Sequence, residues 1–360
     1  MQIGIPCLFM RGGTSRGPYF IKQDLPSDEI SRNNVLLAVM GSPDERQING
    51  IGGGTTLTSK VAILSPSQHL WADVDYLFAQ VNVLQPKVDF APSCGNILAG
   101  VGPAAIERNL VAAVDGKTTV KIHAVNTGSL IEAVVCTPGG QVTYEGNTVI
   151  DGVPGSAAPI LLNFMKIVGS KTGKLLPTGY TSEEIEGVQV TCIDVAVPMA
   201  IAQAQAFGKT GYETKTELDA DTAFLQKIEV IRRLAGERMG LGNVANSVIP
   251  KFAIIAPPRQ GGSITSRYFV PDTCHAAHAV TGAICVASST LLPGSVADGI
   301  AKVTDSQQQN IIIEHPSGKL EISLVIHQEG SEIVIERAGV IRTARLLFSG
   351  NVYVSSHLWT

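Results

Sequence analysis

The chain has 360 residues, of which 44% are hydrophobic and 16% charged, and its net charge at pH 7 is −4. This length fits two domains of ordinary size, each able to bury its own core. The negative charge gives no general attraction to nucleic acid, so no nucleic-acid partner is expected. No apolar run is long enough to span a membrane, and the first residues lack the features of a secretory signal. We therefore expect a cytoplasmic globular protein without membrane contact.

The sequence predicts a first helix over 31–40 that ends at Gly41. A long amphipathic helix is predicted over 218–238. The turns Asn126-Thr127-Gly128 and Pro316-Ser317-Gly318 predict hairpins. Strands are predicted where alternating or β-branched runs end in turn signals, at 61–64, 74–83, 120–125, 130–135, 142–144, 188–193, 252–255, 264–269, 311–314, 320–326 and 333–335.

Two segments 180 residues apart share one pattern: Ser93-Cys94 and Thr273-Cys274 each precede an apolar stretch. Ser and Thr are common helix N-caps, and a helix that is apolar all round must be buried. The pattern predicts a duplicated chain in which each half hides a central helix with a thiol in its first turn. Because helix N-termini attract anions and lower the pKa of a thiol, the pair predicts an acid/base site for an anionic substrate between the halves.

The cysteines show neither a CxxC pair nor the spacing of a metal site, so we expect reduced thiols and no bound metal. His275 and His278 share the second predicted central helix at i, i+3, but no acidic residue stands beside them to complete a metal site. The cysteines outside the repeated pattern are expected to be small buried apolar residues: Cys7, Cys136, Cys192 and Cys285.

Glycine-rich segments at 10–17 and 50–54 could point backbone N–H groups at a carboxylate or phosphate. Neither is a Walker A loop, and no GxGxxG stands in a βαβ setting, so no nucleotide cofactor is expected. Lys60 follows the second segment and directly precedes the apolar run 61–64. Partial burial would lower the pKa of its ammonium, which makes Lys60 a candidate base. In the second half, Arg267 and His275 are candidate partners for carboxylates, with Lys251 and Arg259 as weaker ones.

Several motifs together resemble the PrpF-type isomerases along nearly the whole chain. They are Met10-Arg11-Gly12-Gly13-Thr14-Ser15-Arg16-Gly17, Gly50-Ile51-Gly52-Gly53, Leu57-Thr58-Ser59-Lys60-Val61-Ala62-Ile63, Asp73-Val74-Asp75-Tyr76-Leu77-Phe78-Ala79-Gln80-Val81, Cys94-Gly95-Asn96, Asp151-Gly152-Val153-Pro154-Gly155, Thr191-Cys192-Ile193-Asp194 and Glu314-His315-Pro316-Ser317-Gly318.

The resemblance implies an α+β, diaminopimelate-epimerase-like fold, in which two similar β-barrel-like domains each wrap around a central helix. It also implies that the final strand returns to the first domain. With the polar segment 171–187 as the boundary, we expect an N-terminal domain of 1–183 plus 343–360 and a C-terminal domain of 184–342. Homodimers are common among such folds, and we expect one here.

The resemblance further implies a cofactor-free isomerase that moves a proton in an unsaturated oxo-tricarboxylate. By position, Lys60 and Cys94 would be the acid/base pair, with Lys60 as the base. Cys274 falls where epimerases of this fold place a second thiol, and it is expected among the substrate-binding residues. Carboxylate-binding roles would fall on Thr14, Ser15, Gly95, Asn96, Arg267 and His275.

Three other interpretations stay open at the level of sequence. The first is a methylaconitate or aconitate isomerase that uses the same residues. The second is an amino-acid epimerase in which Cys94 and Cys274 act as opposed bases. The third is a small-anion binding protein without catalytic activity.

Overall fold

The computed structural model describes residues 1–91, 93–165, 167–245, 247–270, 272–303, 308–329 and 332–359. The chain forms two compact units, one of Met1–Asn163 with Ile341–Thr360 and one of Phe164–Val340. The polar segment 171–187 lies inside the second unit, where its Lys171 and Thr172 N–H groups both donate to the Asp194 carboxylate. Among the described residues, no helix has the length and apolar character needed to cross a membrane.

The first unit is built mainly of strands. Helix α1 begins where the Asp28 side chain accepts the Ser31 N–H at 2.8 Å, and it ends at Gly41 in the left-handed conformation. This helix confirms the prediction over 31–40. The strands are β1 Gln2–Gly12, β2 Ser15–Ile21, β3 Lys60–Pro66, β4 Val74–Val81, β5 Val88–Asp89, β6 Gly116–Ala124, β7 Ser129–Thr137 and β8 Pro159–Met165, and the helices are α1 Glu29–Met40, α2 Gly95–Leu98 and α3 Val101–Glu107.

The second unit has the same mixture of elements. Its strands are β9 Glu183–Ile185, β10 Val188–Asp194, β11 Pro198–Gln203, β12 Lys251–Ala256, β13 Ile264–Phe269, β14 Gln308–His315, β15 Gly318–Glu329 and β16 Glu332–Ser355, whose last residues belong to the first unit. Its helices are α4 Lys215–Ala220, α5 Thr222–Arg238 and α6 Val280–Ser289. Neighbouring strands follow the order β16-β15-β14-β13-β12-β11-β10-β9.

The strands of the first unit close into a ring. Their order is β1-β2-β3-β4-β6-β7-β8-β16, and β16 pairs in turn with β1, from Gln2 opposite Ser355 to Gly12 opposite Ala344. A closed ring leaves no sheet edge unpaired, which is how a barrel protects its backbone. Ring closure therefore depends on the last strand of the chain.

Each unit also contains a buried apolar helix, as the repeated pattern predicts. In the first unit, α2 and α3 follow one another after Cys94, and Val101 and Ala105 are fully buried. In the second unit, α6 is buried along its length. The prediction of a thiol in the first turn of that helix is wrong, because α6 begins after Ala279, which has an extended backbone. Cys274 instead forms an isolated antiparallel bridge with Phe269.

Other predictions from the sequence are confirmed in some places and wrong in others. The two hairpins are confirmed, since Ala124 pairs with Ser129 and His315 with Gly318. The strand predicted at 142–144 is wrong, because those residues have no regular structure. The helix predicted over 218–238 is interrupted at Asp221, which closes α4 and caps α5 by accepting the Phe224 N–H at 3.0 Å.

Candidate active site

Lys60 is the first residue of β3, and it is half-buried. Its Nζ donates to Gln80 Oε1 at 2.7 Å and lies 5.1 Å from the centre of the Phe78 ring. The Gln80 amide is itself oriented, because its Nε2 donates to the Ser59 carbonyl at 2.9 Å. The amine is thus held at one end by a fixed acceptor and along one side by an aromatic face.

Cys94 caps the start of α2 and is also half-buried. Its backbone is extended, with φ −135°, and its Sγ accepts the Ile97 N–H at 3.5 Å. The Tyr76 hydroxyl donates to the Cys94 carbonyl at 3.4 Å. These contacts fix the backbone on both sides of the thiol, so the sulfur has a defined position at the helix start.

Lys60 and Cys94 approach the same face of β4. Tyr76, Phe78 and Gln80 alternate along this strand, so their side chains point to one side of the sheet. Lys60 contacts the Phe78 and Gln80 end of that row, and the Cys94 backbone contacts Tyr76. The Lys60 amine and the Cys94 backbone therefore contact one row of side chains within the first unit.

Thr14 and Asn96 are joined directly. The Asn96 amide donates to Thr14 Oγ1 at 3.0 Å, and Asn96 Oδ1 accepts the Thr14 N–H at 3.4 Å. Gly13 makes this approach possible, because its φ is +50° and an added Cβ would lie 2.1 Å from Asn96 Oδ1. The turn between β1 and β2 is thus fastened to the start of α2, where Gly95 and Asn96 follow Cys94.

Ser15 lies beside this pair, and its hydroxyl has no partner among the described residues. The residue is 2% exposed. A buried hydroxyl without a hydrogen bond costs about 1–3 kcal/mol, which a ligand that accepts its proton would recover. Ser15 is therefore a candidate contact for a bound molecule.

Two tyrosines form the base of this region and were missed from the sequence. The Tyr19 hydroxyl donates to the Ile97 carbonyl at 2.6 Å, and the Tyr76 hydroxyl contacts Cys94 as described. Burial raises the pKa of both phenols well above their usual range, and the nearby Cys94 thiol adds to the rise. Both stay neutral hydrogen-bond donors, so they position α2 without moving protons. The strand pattern and the 73–81 motif both include Tyr76, but neither singles it out as a contact of Cys94.

A cleft of about 460 Å³ opens beside Thr14 and Ser15. Three arginines line it, Arg11, Arg16 and Arg345, together with the 152–154 loop. None of the three was predicted as a site residue, although Arg11 and Arg16 belong to the first glycine-rich motif. Arg345 carries no local signal, because only strand pairing brings β16 beside β1.

In the second unit, Arg267 is buried and already bonded to the backbone. Its Nε donates to the Glu213 carbonyl at 2.7 Å and its Nη1 to the Ser266 carbonyl at 3.1 Å. Burial lowers the pKa of the guanidinium. These bonds give Arg267 a role in holding the chain together, while its expected contact with a carboxylate stays a prediction.

Cys274 is 1% exposed, and its N–H donates to Asp219 Oδ1 at 2.7 Å. Burial raises the pKa of its thiol to about 11, so the sulfur stays protonated at neutral pH. Neighbouring His275 donates its N–H to the Tyr268 carbonyl at 2.7 Å, and its Nδ1 accepts the Ala277 N–H at 3.0 Å. The expectation that His275 and His278 share a helix is wrong, since both precede α6.

Comparison with known proteins agrees with this architecture. The solved structure of a methylitaconate-delta-isomerase has a TM-score of 0.87 and 35% identity, and covers 100% of this chain and 97% of that one. A hydroxyproline epimerase from Agrobacterium vitis shares the fold alone, with a TM-score of 0.54 and 13% identity over 99% of this chain and 94% of that one. The chain therefore has the diaminopimelate-epimerase-like fold.

A family model described as PrpF protein matches residues 2–355. The chain is 49% identical to 4-oxalomesaconate tautomerase from Pseudomonas putida, over 99% of this chain and 98% of that protein. The chain belongs to the PrpF family, as the sequence motifs indicated, and it is an isomerase.

Proposed function

We propose that this isomerase moves a proton in an unsaturated oxo-tricarboxylate of the 4-oxalomesaconate kind, without a cofactor. The observation that carries the proposal is the row on β4, where the Lys60 amine and the Cys94 residue approach one face of the same strand. The cleft beside the Thr14–Asn96 pair of the same unit has room for a small organic acid. The similarity to 4-oxalomesaconate tautomerase supports this substrate class.

In the proposed reaction, Lys60 acts as the base and takes a proton from the carbon beside the carbonyl group or the double bond. The electron pair left behind spreads over the conjugated chain as an enolate, and a proton returns to the other end of that system. Gln80 Oε1 accepts from Lys60 Nζ and the Phe78 ring lies along one side of it, so the amine has a defined position for this step.

The second proton-transfer group in this proposal is Cys94. Its thiol stands at the start of α2 beside the N–H groups of Gly95 and Asn96, which can donate to an enolate or carboxylate oxygen. Cys94 would return the proton or orient the substrate, and Thr14, Ser15 and the Asn96 amide would hold carboxylates.

A related candidate is an allylic isomerase of the methylaconitate or aconitate kind, which would use the same residues. The structural likeness to a methylitaconate-delta-isomerase favours it as the second choice. The two-cysteine epimerase is disfavoured, because the buried Cys274 thiol has a pKa of about 11 and cannot serve readily as a base at neutral pH.

The test is proton NMR in deuterated water with a panel of unsaturated tricarboxylates, with ultraviolet absorbance following any change in conjugation. We expect wild-type protein to exchange and isomerise 4-oxalomesaconate. Lys60→Met should lower turnover by about 100-fold to 10,000-fold, the usual contribution of a general base. The matched control is Lys117→Met, at an exposed position on β6, which should keep full activity.

Two results would contradict the proposal in different ways. If 4-oxalomesaconate stays unchanged while aconitate-type acids exchange, the substrate assignment is wrong. If Lys60→Met turns over as fast as Lys117→Met, Lys60 is not the base.

A further inference from the structure

Arg342 is a buried arginine at the start of the part of β16 that belongs to the first unit. The residue is 9% exposed, and its Nη1 donates to the neighbouring Ile341 carbonyl at 3.0 Å. Its Nε has no partner among the described residues, and no ion pair within them involves this guanidinium. Burial lowers its pKa to about 10, so the group stays charged at neutral pH. A buried charge without a counter-charge costs free energy, which a bound anion would recover.

The pairing of three neighbouring strands identifies the face of the sheet to which Arg342 points. Gly12 on β1 lies opposite Ser15 on β2 and also opposite Ala344 on β16. Residues opposite each other in antiparallel strands point to the same face of the sheet. Arg342 precedes Ala344 by two residues, and side chains alternate along a strand, so Arg342 shares this face with Ser15.

This face is the one that packs on the start of α2. A Cβ added at Gly12 would lie 2.5 Å from the Asn96 carbonyl oxygen and 2.8 Å from the Tyr19 hydroxyl. Tyr19 is paired with Ala62 on β3, and Lys60 precedes Ala62 by two residues, so the Lys60 side chain is on the same face. The Arg342 guanidinium therefore points to the side of the first unit that carries the candidate active site.

Ser15 is a second buried donor on this face. It is 2% exposed, and its hydroxyl has no partner among the described residues. Two strand spacings of about 4.8 Å and two residues of about 3.3 Å separate it from Arg342, which is roughly 12 Å between their Cα atoms. The long arginine side chain covers part of that distance. A small acid bound between the two side chains can therefore contact both of them.

We propose that Arg342 binds one carboxylate of the substrate through Nε and Nη2, and that Ser15 donates to the same acid. This inference rests on the proposed function, because the acid is taken to be the tricarboxylate that Lys60 deprotonates. The Nε and Nη2 edge of a guanidinium matches the two oxygens of a carboxylate, while Nη1 keeps its bond to the Ile341 carbonyl. Arg342 thus holds the substrate in place and moves no proton.

The experiment measures binding of tricarballylate, a saturated tricarboxylate that has no double bond to isomerise, by titration calorimetry. We expect Arg342→Met to raise the dissociation constant by about tenfold or more and Ser15→Ala by about threefold to tenfold, since each variant loses hydrogen bonds to a charged group. The control is Arg337→Met, at an exposed position on the same strand β16, which should bind like wild type. If wild type binds no tricarballylate, or binds it no more tightly than Arg342→Met, the inference is wrong.

Thermal unfolding separates a binding role from a structural one. Because Arg342→Met removes a buried charge that has no counter-charge among the described residues, the ligand-free variant should unfold no earlier than wild type. Tricarballylate should raise the unfolding temperature of wild type and Arg337→Met, but much less that of Arg342→Met. A ligand-free Arg342→Met that unfolds well below wild type would show a structural role and overturn the inference.

The proposed function and this inference fail in distinguishable ways. Lys60→Met should lose turnover but bind tricarballylate about as tightly as wild type, so the binding result does not depend on the base. An unchanged KM for 4-oxalomesaconate in Arg342→Met would overturn the inference even if wild type isomerises this acid. Binding of tricarballylate that is lost in Arg342→Met supports the inference even if 4-oxalomesaconate stays unchanged.

Discussion

The position of the Lys60 amine depends on one amide side chain. Gln80 donates through Nε2 to the carbonyls of Thr56 and Ser59, at 3.2 and 2.9 Å, so its oxygen must face Lys60. An amide whose two ends are both assigned by partners has one orientation only. The lysine is thus aligned by its cross-strand neighbour, since Lys60 and Gln80 are opposite each other in β3 and β4.

The two cysteines of the repeated pattern should respond differently to substitution. We expect Cys94→Ala to lower turnover by about 100-fold or more, because a proton-transfer group is lost. Cys274→Ala should change turnover by less than about threefold, since its thiol is buried and protonated. The measurement is the steady-state turnover of both variants, and circular dichroism checks that each variant is folded. Equal loss in the two variants would instead support a two-cysteine mechanism.

The places of candidate residues in the fold could be predicted where the signal is local. Lys60 stands before an apolar strand and Cys94 before an apolar helix, and both patterns are contained in a few residues. Arg345 could not be predicted, because its place beside Arg11 follows from the pairing of β1 with β16, which are far apart in the chain. The buried state of Cys274 also depends on packing, with Asp219 of α4 accepting its N–H.

At the scale of elements, β2 and β3 approach closely at Gly17. A Cβ added there would lie 1.8 Å from the Lys60 carbonyl oxygen, which is a backbone atom and cannot turn away. Only glycine lets the start of β3 lie against β2, and so the position of the Lys60 backbone depends on a residue in the first glycine-rich motif.

Gly17→Ala should therefore both destabilise the protein and lower its activity. We expect a loss of about 1–3 kcal/mol in the free energy of unfolding, typical of overpacking, together with reduced turnover as Lys60 shifts. The control is Gly350→Ala on β16, where no atom lies within 4 Å of the added Cβ, and the change should be within about 0.5 kcal/mol. Denaturant unfolding of both variants gives the comparison. If Gly17→Ala leaves the free energy of unfolding unchanged, β2 and β3 can move apart there without loss of stability.

Element prediction succeeded where periodicity was strong and failed where a single capping residue decided the outcome. The helix predicted over 218–238 keeps its apolar stripe, but Asp221 accepts the Phe224 N–H and starts a new helix there. A capping box at Thr214 and Glu217 begins α4, and this signal was present in the sequence. The start of α6 had no such cap, since Ala279 offers no side-chain acceptor.

At the scale of the whole molecule, a buried carboxylate links stability to pH. Glu314 is 4% exposed and accepts the N–H groups of Arg259, Gln260 and Gly262, at 2.8, 2.6 and 2.8 Å. Burial alone would raise the pKa of this carboxyl, but these hydrogen bonds favour the charged form and lower the pKa below its ordinary value. The ionised group therefore fastens the 259–262 turn to β14.

Because the pKa is lower in the folded state, this stabilisation is complete above the ordinary glutamate pKa of about 4.3 and is lost as the pH falls through the folded value. Glu314→Gln should lower the free energy of unfolding at pH 7, and the difference from wild type should shrink on acidification. Urea unfolding across this pH range is the measurement, with Glu321→Gln at an exposed position of β15 as control. A difference that stays constant with pH would contradict the assignment.

Ring closure in the first unit has a consequence for how the protein is made. During synthesis β1 leaves the ribosome long before its partner β16. Contacts so distant in sequence form slowly, and one edge of β1 has no strand to pair with until β16 has emerged. The nascent chain must keep that edge away from other chains throughout this interval, which makes it a natural place for a chaperone to act.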